Sequence, residues 1–322
     1  MLRSIVVWML AAAAWAASPV MAQSAYPAKP VTFVVPYPPG GPADLIARIV
    51  AGKFAAMLPQ PVLVENRSGA SGNIGTEYVA RAPADGYTLL FGSSPALVIN
   101  PSLYRKQTFD PLKDLEPVAH FGSLPNAVLV HRDLGIDSIG ALVEHLKTQP
   151  GTYASAGSGG TTHLAGLAFG KAAGIKLVHV PHRGTAPALQ ALLGQHVTMT
   201  FTDVMTAAPH VKSGTLRMLA VTSAEPSRLF PKVPTLRSIG MQEVDNSVFF
   251  ALLAPRGLPQ TVTAVLARAA REAIEDPAIR DRLQAQGLDL PAEASARYLD
   301  QVMRTETPRW RKLIAETGAT VD

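Results

Sequence analysis

The chain has 322 residues, no cysteine, and 29 Lys and Arg against 24 Asp and Glu, a formal charge of +5. Its length supports a large hydrophobic core without disulfides and makes two domains the starting expectation. The positive excess is too small and too scattered for nucleic acid, but it suits a small anion.

Residues 1–22 read as a secretory leader, with Arg3 as its charged start, an apolar run from Ser4 to Ala17, and small residues at Val20-Met21-Ala22. Cleavage after about Ala22 is expected, which places the mature chain in the exported compartment. Removing the leader takes away Arg3 and no acid, leaving 28 − 24 = +4. No later apolar stretch reaches the ~18 residues of a membrane span, so a soluble mature chain is expected.

The first predicted strand, Val31 to Val35, runs into Pro36-Tyr37-Pro38-Pro39-Gly40-Gly41-Pro42 and then a helical pattern over Leu45 to Met57. The prolines stop the ladder and the turn becomes a helix N-terminus. There the first backbone N–H groups have no intrahelical partner, and Gly40 and Gly41 carry no side chain to hold a ligand off. That combination suits a carboxylate. Asp44, in the first helical turn, is expected to offset the helix dipole or order the loop.

Further strands are predicted at Val62 to Val64, Thr88 to Phe91, Ala127 to Val130, Leu177 to Val180, Val197 to Phe201, Met218 to Val221 and Phe249 to Leu253. Helical patterns lie between several of them, at Gly75 to Ala82, Ile139 to Lys147, His163 to Ala173, Ala186 to Leu193 and Val262 to Asp276. A terminal helix spans Tyr298 to Glu316, with Pro308 expected to kink or break it. The alternation argues for parallel α/β sheets. With Pro125 to Val130 and Val248 to Pro255 as crossings, the expected division is 23–125 with 248–322 in one lobe and 126–247 in the other.

Three more loops follow strand ends, where open α/β folds bind ligands. Glu65 to Gly75 places glycines around Asn73, which could cap the next helix or donate to a ligand. Phe91 to Ala96 offers the hydroxyls of Ser93 and Ser94 or forms an ordinary turn. Ala154 to Gly166 repeats the first turn's logic: Ser158, Gly159 and Gly160, then Thr161 and Thr162 as N-cap candidates, then a helix near His163. Arg183 follows a strand and could clamp a carboxylate or face solvent; Asp203 could meet a ligand amine or hydroxyl, or cap the turn leading to Pro209. A few charge-assisted hydrogen bonds at roughly 1.5–3 kcal/mol each, less the cost of association, reach about micromolar affinity without a buried arginine.

At these loops the chain resembles the extracytoplasmic substrate-binding proteins of tripartite tricarboxylate transporters, the Bug or TctC-like family. The resemblance covers nearly the whole mature chain through VPYPPGGPAD, VENRSGASGNIG, ADGYTLLFG, INPSLY, YASAGSGGTTHLAG, VHVPHRG, APALQALLGQHV, LAVTS, FFALLAP and AETGATVD. It implies an α/β, two-lobed periplasmic-binding-protein fold, type II-like, each lobe a mostly parallel sheet flanked by helices. The ligand would lie in the cleft between them, held through main-chain groups and ordered waters. The ligand-binding set is then Tyr37, Pro39, Gly40, Gly41, Asn73, Ser93, Ser94, Ser158, Gly160, Thr161, Thr162, His163, Arg183 and Asp203. The resemblance also implies contacts from His182 and Phe249 to the far end of the ligand. At these positions the chain departs from the usual pattern, His182-Arg183 replacing Tyr-Lys and Phe249 replacing Trp.

The function so implied is capture of a small organic carboxylate in the periplasm, for membrane permease subunits of a tripartite transporter or for a sensor protein. Dicarboxylates, hydroxy or aromatic acids and acidic amino acids all fit, bound by a monomer with no cofactor, no metal and no nucleic acid. The rival class is an exported hydrolase assembled from His163, His182, Ser158 and Asp203. Against it, the chain has no G-x-S-x-G elbow followed by an acid and a histidine, and no H-E-x-x-H or Cys/His metal spacing.

Overall fold

The computed structural model describes residues 26–241, 244 and 246–321, so the expected leader and its cleavage position lie outside the described residues. In chain order the strands and longer helices are β1 (Val31–Val35), α1 (Pro42–Met57), β2 (Val62–Asn66), α2 (Asn73–Ala80), β3 (Thr88–Ser93) and β4 (Leu115–His131). They continue as α3 (Ile139–Thr148), β5 (Gly151–Ser155), α4 (Thr161–Ala173), β6 (Leu177–Pro181), α5 (Thr185–Leu193) and β7 (Met199–Asp203). The chain closes with α6 (Val204–Lys212), β8 (Leu216–Val221), β9 (Ser247–Pro255), α7 (Gln260–Glu275), α8 (Pro277–Ala285) and α9 (Ala296–Thr317).

These strands join in the order β2-β1-β3-β9-β4-β7-β5-β6, with β8 also on β4. Both ends are parallel, β2-β1-β3 at one and β7-β5-β6 at the other. The middle is antiparallel, through β9 on β3 and β4 and through β7 and β8 on β4. Central strands such as β1 are buried on both faces and read as unbroken Val-rich runs, whereas the edge strands β2 and β6 leave Leu63 and Val178 exposed.

The expected strand at Ala127 to Val130 is the end of a strand of 17 residues. Pro117, Gly122 and Pro125 hide its first part from a propensity reading, but the ladder absorbs them through register shifts beside Pro117 and His120. Gly122 has φ +125° and faces the Asp289 carbonyl so closely that a Cβ would lie 2.8 Å from it. Ser123 and Asp289 exchange backbone hydrogen bonds there, at 2.9 and 2.8 Å.

Three further elements escape the sequence patterns. β5, GTYAS, carries no aliphatic run, yet Tyr153, Ala154 and Ser155 are fully buried. α6 and α8 start from Asp203 and Asp276, whose side chains accept backbone N–H groups of their first turns. Pro308 breaks nothing: α9 runs through it, and two residues later Trp310 is fully buried.

The core lies on both faces of the sheet. On one face Phe33 meets Phe54 and Phe91 at centroid distances of 5.3 and 6.2 Å, and Phe91 meets Phe121 at 5.6 Å. On the other, α9 covers β3, β4 and β9 with Leu299, Met303 and Trp310, and Tyr153, Phe169 and Phe201 fill the space under α4. Rigid aromatic packing of this kind fixes the strand ends from which the loops rise.

Candidate functional site

Four helices start from glycine: α1 from Gly41, α2 from Gly72, α4 from Gly160 and α5 from Gly184, none with a side-chain cap. By contrast, Ser138, Asp203, Asp276 and Ser295 cap α3, α6, α8 and α9. α7, which begins after Pro259, also lacks a side-chain cap. An uncapped start leaves first-turn N–H groups for another acceptor.

The loops that carry these starts touch one another. Ser71 Oγ donates to the Ser158 carbonyl at 3.2 Å, joining the second loop to the fourth. Asn100 Nδ2 donates to Asn73 Oδ1 at 2.7 Å and to the Ser71 carbonyl at 3.2 Å. Pro38 of the first loop lies against Gly184, where a Cβ would stand 3.9 Å from Pro38 Cγ. At Gly72 a Cβ would stand only 2.9 Å from the Tyr37 hydroxyl, so glycine is what lets the first two loops meet.

Within the first loop, Pro39 and Gly40 are exposed, and the Gly40 N–H donates to Asp44 Oδ2 at 3.0 Å. That N–H is therefore engaged within the loop; its φ of +79° makes Gly40 the turn residue, and Gly41 is the one at the helix start. Asp44 also binds Arg48 Nε and Nη2 at 3.0 and 2.8 Å, and Arg48 Nη2 reaches Asn66 Oδ1 at 3.3 Å. Asn66 Nδ2 in turn donates to the Tyr37 carbonyl at 3.1 Å.

Burial raises the Asp44 carboxyl, but hydrogen bonds from Arg48, Gly40 and Asn66 outweigh it and hold the group below the usual carboxylate range. A depressed folded pKa stabilises the protein above the unfolded pKa, and that stability is lost as pH falls through the folded value. The stability difference between the wild type and Asp44→Asn should therefore be constant above about pH 5 and shrink below about pH 4. Urea unfolding across that range measures it, and a difference independent of pH would refute the role given to Asp44.

Tyr37 is half-buried, and its hydroxyl is enclosed beside Ser93 and the Ala96 backbone without a well-formed hydrogen bond; burial pushes its pKa up to about 12. Ser93 is buried at the end of β3. Ser94 Oγ accepts the Phe249 N–H at 2.8 Å, so this hydroxyl anchors β9 and keeps its own O–H to donate. Asn73 is not the cap of α2; its Oδ1 takes the Asn100 amide instead.

In the fourth loop neither threonine is the N-cap, since Gly160 holds that position. Thr162 Oγ1 accepts the Ala156 N–H at 3.0 Å, and the Thr161 carbonyl accepts Asn246 Nδ2 at 2.7 Å. Ser158 contributes the carbonyl that meets Ser71. His163 Nδ1 accepts the Gly159 N–H at 3.0 Å, and its ring stacks on His179 at 4.0 Å. Burial first, and His179 second, lower the His163 pKa to about 3, so its ring is neutral and shapes the loop.

Asp203 takes the capping alternative: its carboxylate accepts the Thr206 N–H at 2.7 Å and the Thr206 hydroxyl at 3.0 Å at the start of α6. It is buried, and its burial raises the pKa. No hydrogen bond joins His163, His182, Ser158 and Asp203 to one another among the described residues, so the hydrolase constellation does not form. No group of three or more His, Cys, Asp or Glu is placed to hold a metal ion among the described residues. Arg183 is exposed, with no ion pair among the described residues. The Phe249 ring lines a cavity beside His120 and Tyr298.

Asn66, Asn100 and Asn246 were not expected in the site. Each is an amide that ties one loop to another, and the sequence signal is weak: an Asn at a strand end or within an apolar run such as LVINPSL. Several enclosed polar atoms here have no protein partner, namely the Tyr37 hydroxyl, Asn100 Oδ1, His182 Nε2 and Asn246 Oδ1. Such atoms are rare in folded proteins and cluster where a guest or water completes them.

Residues 46–319 match the model of the family described as the tripartite tricarboxylate transporter family receptor. The chain is 37% identical to BugT of Bordetella pertussis, over 98% of this chain and 97% of that one. An R. palustris protein solved with adipate superposes with TM-score 0.87 at 30% identity, over 92% of this chain and 99% of that one. MatC from Rhodopseudomonas palustris, solved with malate, gives 0.84 at 29% identity, over 90% and 100%. The mixed α/β sheet with flanking helices is thus a periplasmic-binding-protein fold, and the role is that of a transport receptor with no catalytic step. The chain belongs to the TctC/Bug family of periplasmic solute-binding proteins of tripartite tricarboxylate transporters.

Proposed function

We propose that this protein captures a small dicarboxylate between the glycine-started helices α1 and α4 and delivers it to the permease subunits of a tripartite transporter. The observation that carries this is the pattern of helix caps: the starts that face the converging loops use glycine, whereas Ser or Asp side chains cap α3, α6, α8 and α9. Each carboxylate end would take first-turn N–H groups, near Gly41 at one end and near Thr161 and Thr162 at the other. The adipate and malate bound by the two solved relatives support an acid of this size.

The division into 23–125 with 248–322 and 126–247 is part of the same reading. It is supported by β4, whose partner changes from β9 at Pro125 to β7 at Asn126. Two strands crossing between halves would form a hinge that opens and closes over the acid. Ser71–Ser158 and Pro38–Gly184 then represent the closed arrangement. Export with removal of residues 1–22 completes the reading, supported by the leader pattern at Arg3 to Ala22.

A thermal-shift screen of the protein lacking residues 1–22 against C4 to C6 dicarboxylates tests it. An acid at 100 times its dissociation constant stabilises by about 2.7 kcal/mol. Arg183→Ala is expected to change the affinity of the responding acid less than about threefold, because backbone donors supply most of the binding. Loss of all response in Arg183→Ala would replace the backbone cradle with an ionic clamp, and silence across the panel would refute the ligand class.

A further inference from the structure

A second cavity, of about 510 Å³, lies between α9 and the crossing strands β4 and β9. None of the glycine-started loops lines it. His120, Ser123, Ser247 and Phe249 face it from the strands, and Tyr298, Val302 and Leu313 from α9.

His120 is only 4% exposed. Its Nδ1 accepts the Gly122 N–H at 3.1 Å, which puts the ring proton on Nε2. No protein group among the described residues meets that Nε2–H. The ring is held edge-on to Tyr298 at 5.2 Å and tilted against Phe249 at 5.7 Å, so it cannot turn away without unpacking both. A guest acceptor that reaches this N–H across the cavity gains a hydrogen bond that no protein group supplies among the described residues.

The charged groups at the mouth engage one another, three cations with two carboxylates. Arg309 Nε binds both Glu306 oxygens at 3.1 Å, and Lys171 and Lys312 flank Glu316 at 3.0 and 3.8 Å. Each of these cations already has a carboxylate partner, and the buried imidazole is neutral, since burial lowers its pKa to about 4.

We infer that this cavity is a second binding site, for a small uncharged molecule with an apolar ring or chain and one carbonyl-type acceptor. The acceptor meets His120 Nε2–H, the apolar body lies against Phe249, Tyr298 and Leu313, and the Ser123 and Ser247 hydroxyls complete the polar end. The volume falls within the common range for small-molecule pockets.

Benzamide is the probe, titrated into isotope-labelled protein lacking residues 1–22 and followed by NMR, with benzoate as its charged isostere. Saturable shifts of the His120 and Tyr298 ring signals are expected, with benzoate at least tenfold weaker. His120→Leu should weaken benzamide at least tenfold while keeping the melting temperature near that of the wild type. Absence of His120 and Tyr298 ring shifts in the wild type would overturn the inference whether or not the variant folds. So would benzoate binding as well as benzamide, or an unchanged affinity in a folded His120→Leu protein.

Discussion

Gly160→Asp is expected to reduce dicarboxylate affinity at least 100-fold while leaving stability unchanged or slightly higher. Gly160 has φ −74° and ψ 168°, which any residue adopts, and a Cβ there would meet nothing closer than the Gly157 carbonyl at 3.5 Å. An aspartate at this N-cap accepts the first-turn N–H groups itself, and the gain over glycine is a few tenths of a kcal/mol. The same carboxylate takes the donors proposed for the ligand and faces it with like charge, worth about 4 kcal/mol at 4 Å and an effective dielectric of 20. A 100-fold loss corresponds to about 2.7 kcal/mol, well within that repulsion.

The opposite signs make this variant informative. A generally damaging substitution lowers stability and binding together, whereas a self-capping aspartate separates them. Gly160→Ser, neutral but also self-capping, should lose about tenfold. Titration calorimetry beside thermal unfolding reads both quantities, and wild-type affinity in Gly160→Asp would show that the α4 start does not hold the acid.

Gly166→Ala is expected to destabilise the protein by about 3 kcal/mol, although alanine in a helix interior usually gains about 1 kcal/mol over glycine. The reversal comes from Tyr153. A Cβ at Gly166 would lie 2.1 Å from Tyr153 Cε2 and 2.4 Å from Cζ. The ring is fully buried, its hydroxyl donates to the His163 carbonyl at 3.1 Å, and it packs on His179 and Phe201 at 4.9 and 6.0 Å. With no room to withdraw, it must move with β5 or α4. Melting temperatures should fall by roughly 5–10 °C for a chain of this size. An unchanged or raised melting temperature would mean that Tyr153 has space to yield.

Much of this fold is legible in the sequence because its parallel strands are short, Val-rich and closed by Gly and Pro. β1 is predicted to the residue, and the glycine loop before α1 announces an uncapped helix start, whereas at α4 Gly160 holds the N-cap position for which the sequence offers Thr161 and Thr162. What escapes has physical reasons. β5 is buried by small and aromatic residues without an aliphatic run, and β4 carries a bulge beside Pro117 and changes partner from β9 to β7 just after Pro125.

The site divides in the same way. The loops and the N-cap glycines can be read locally, but the assignment of each side chain cannot. Asp44 turning back on the Gly40 N–H, Ser94 holding β9 and Asp203 closing α6 are choices among alternatives that sequence spacing allows equally. Asn246 reaching the Thr161 carbonyl spans 85 residues, and no local pattern marks such a partner.

The most direct test is a crystal structure of the protein with the dicarboxylate that stabilises it most. The expected result places carboxylate oxygens within about 2.7–3.2 Å of backbone N–H groups at the starts of both α1 and α4, or one ordered water away. An acid bound away from both Gly41 and Gly160, against Arg183 or inside the His120 cavity, would contradict it.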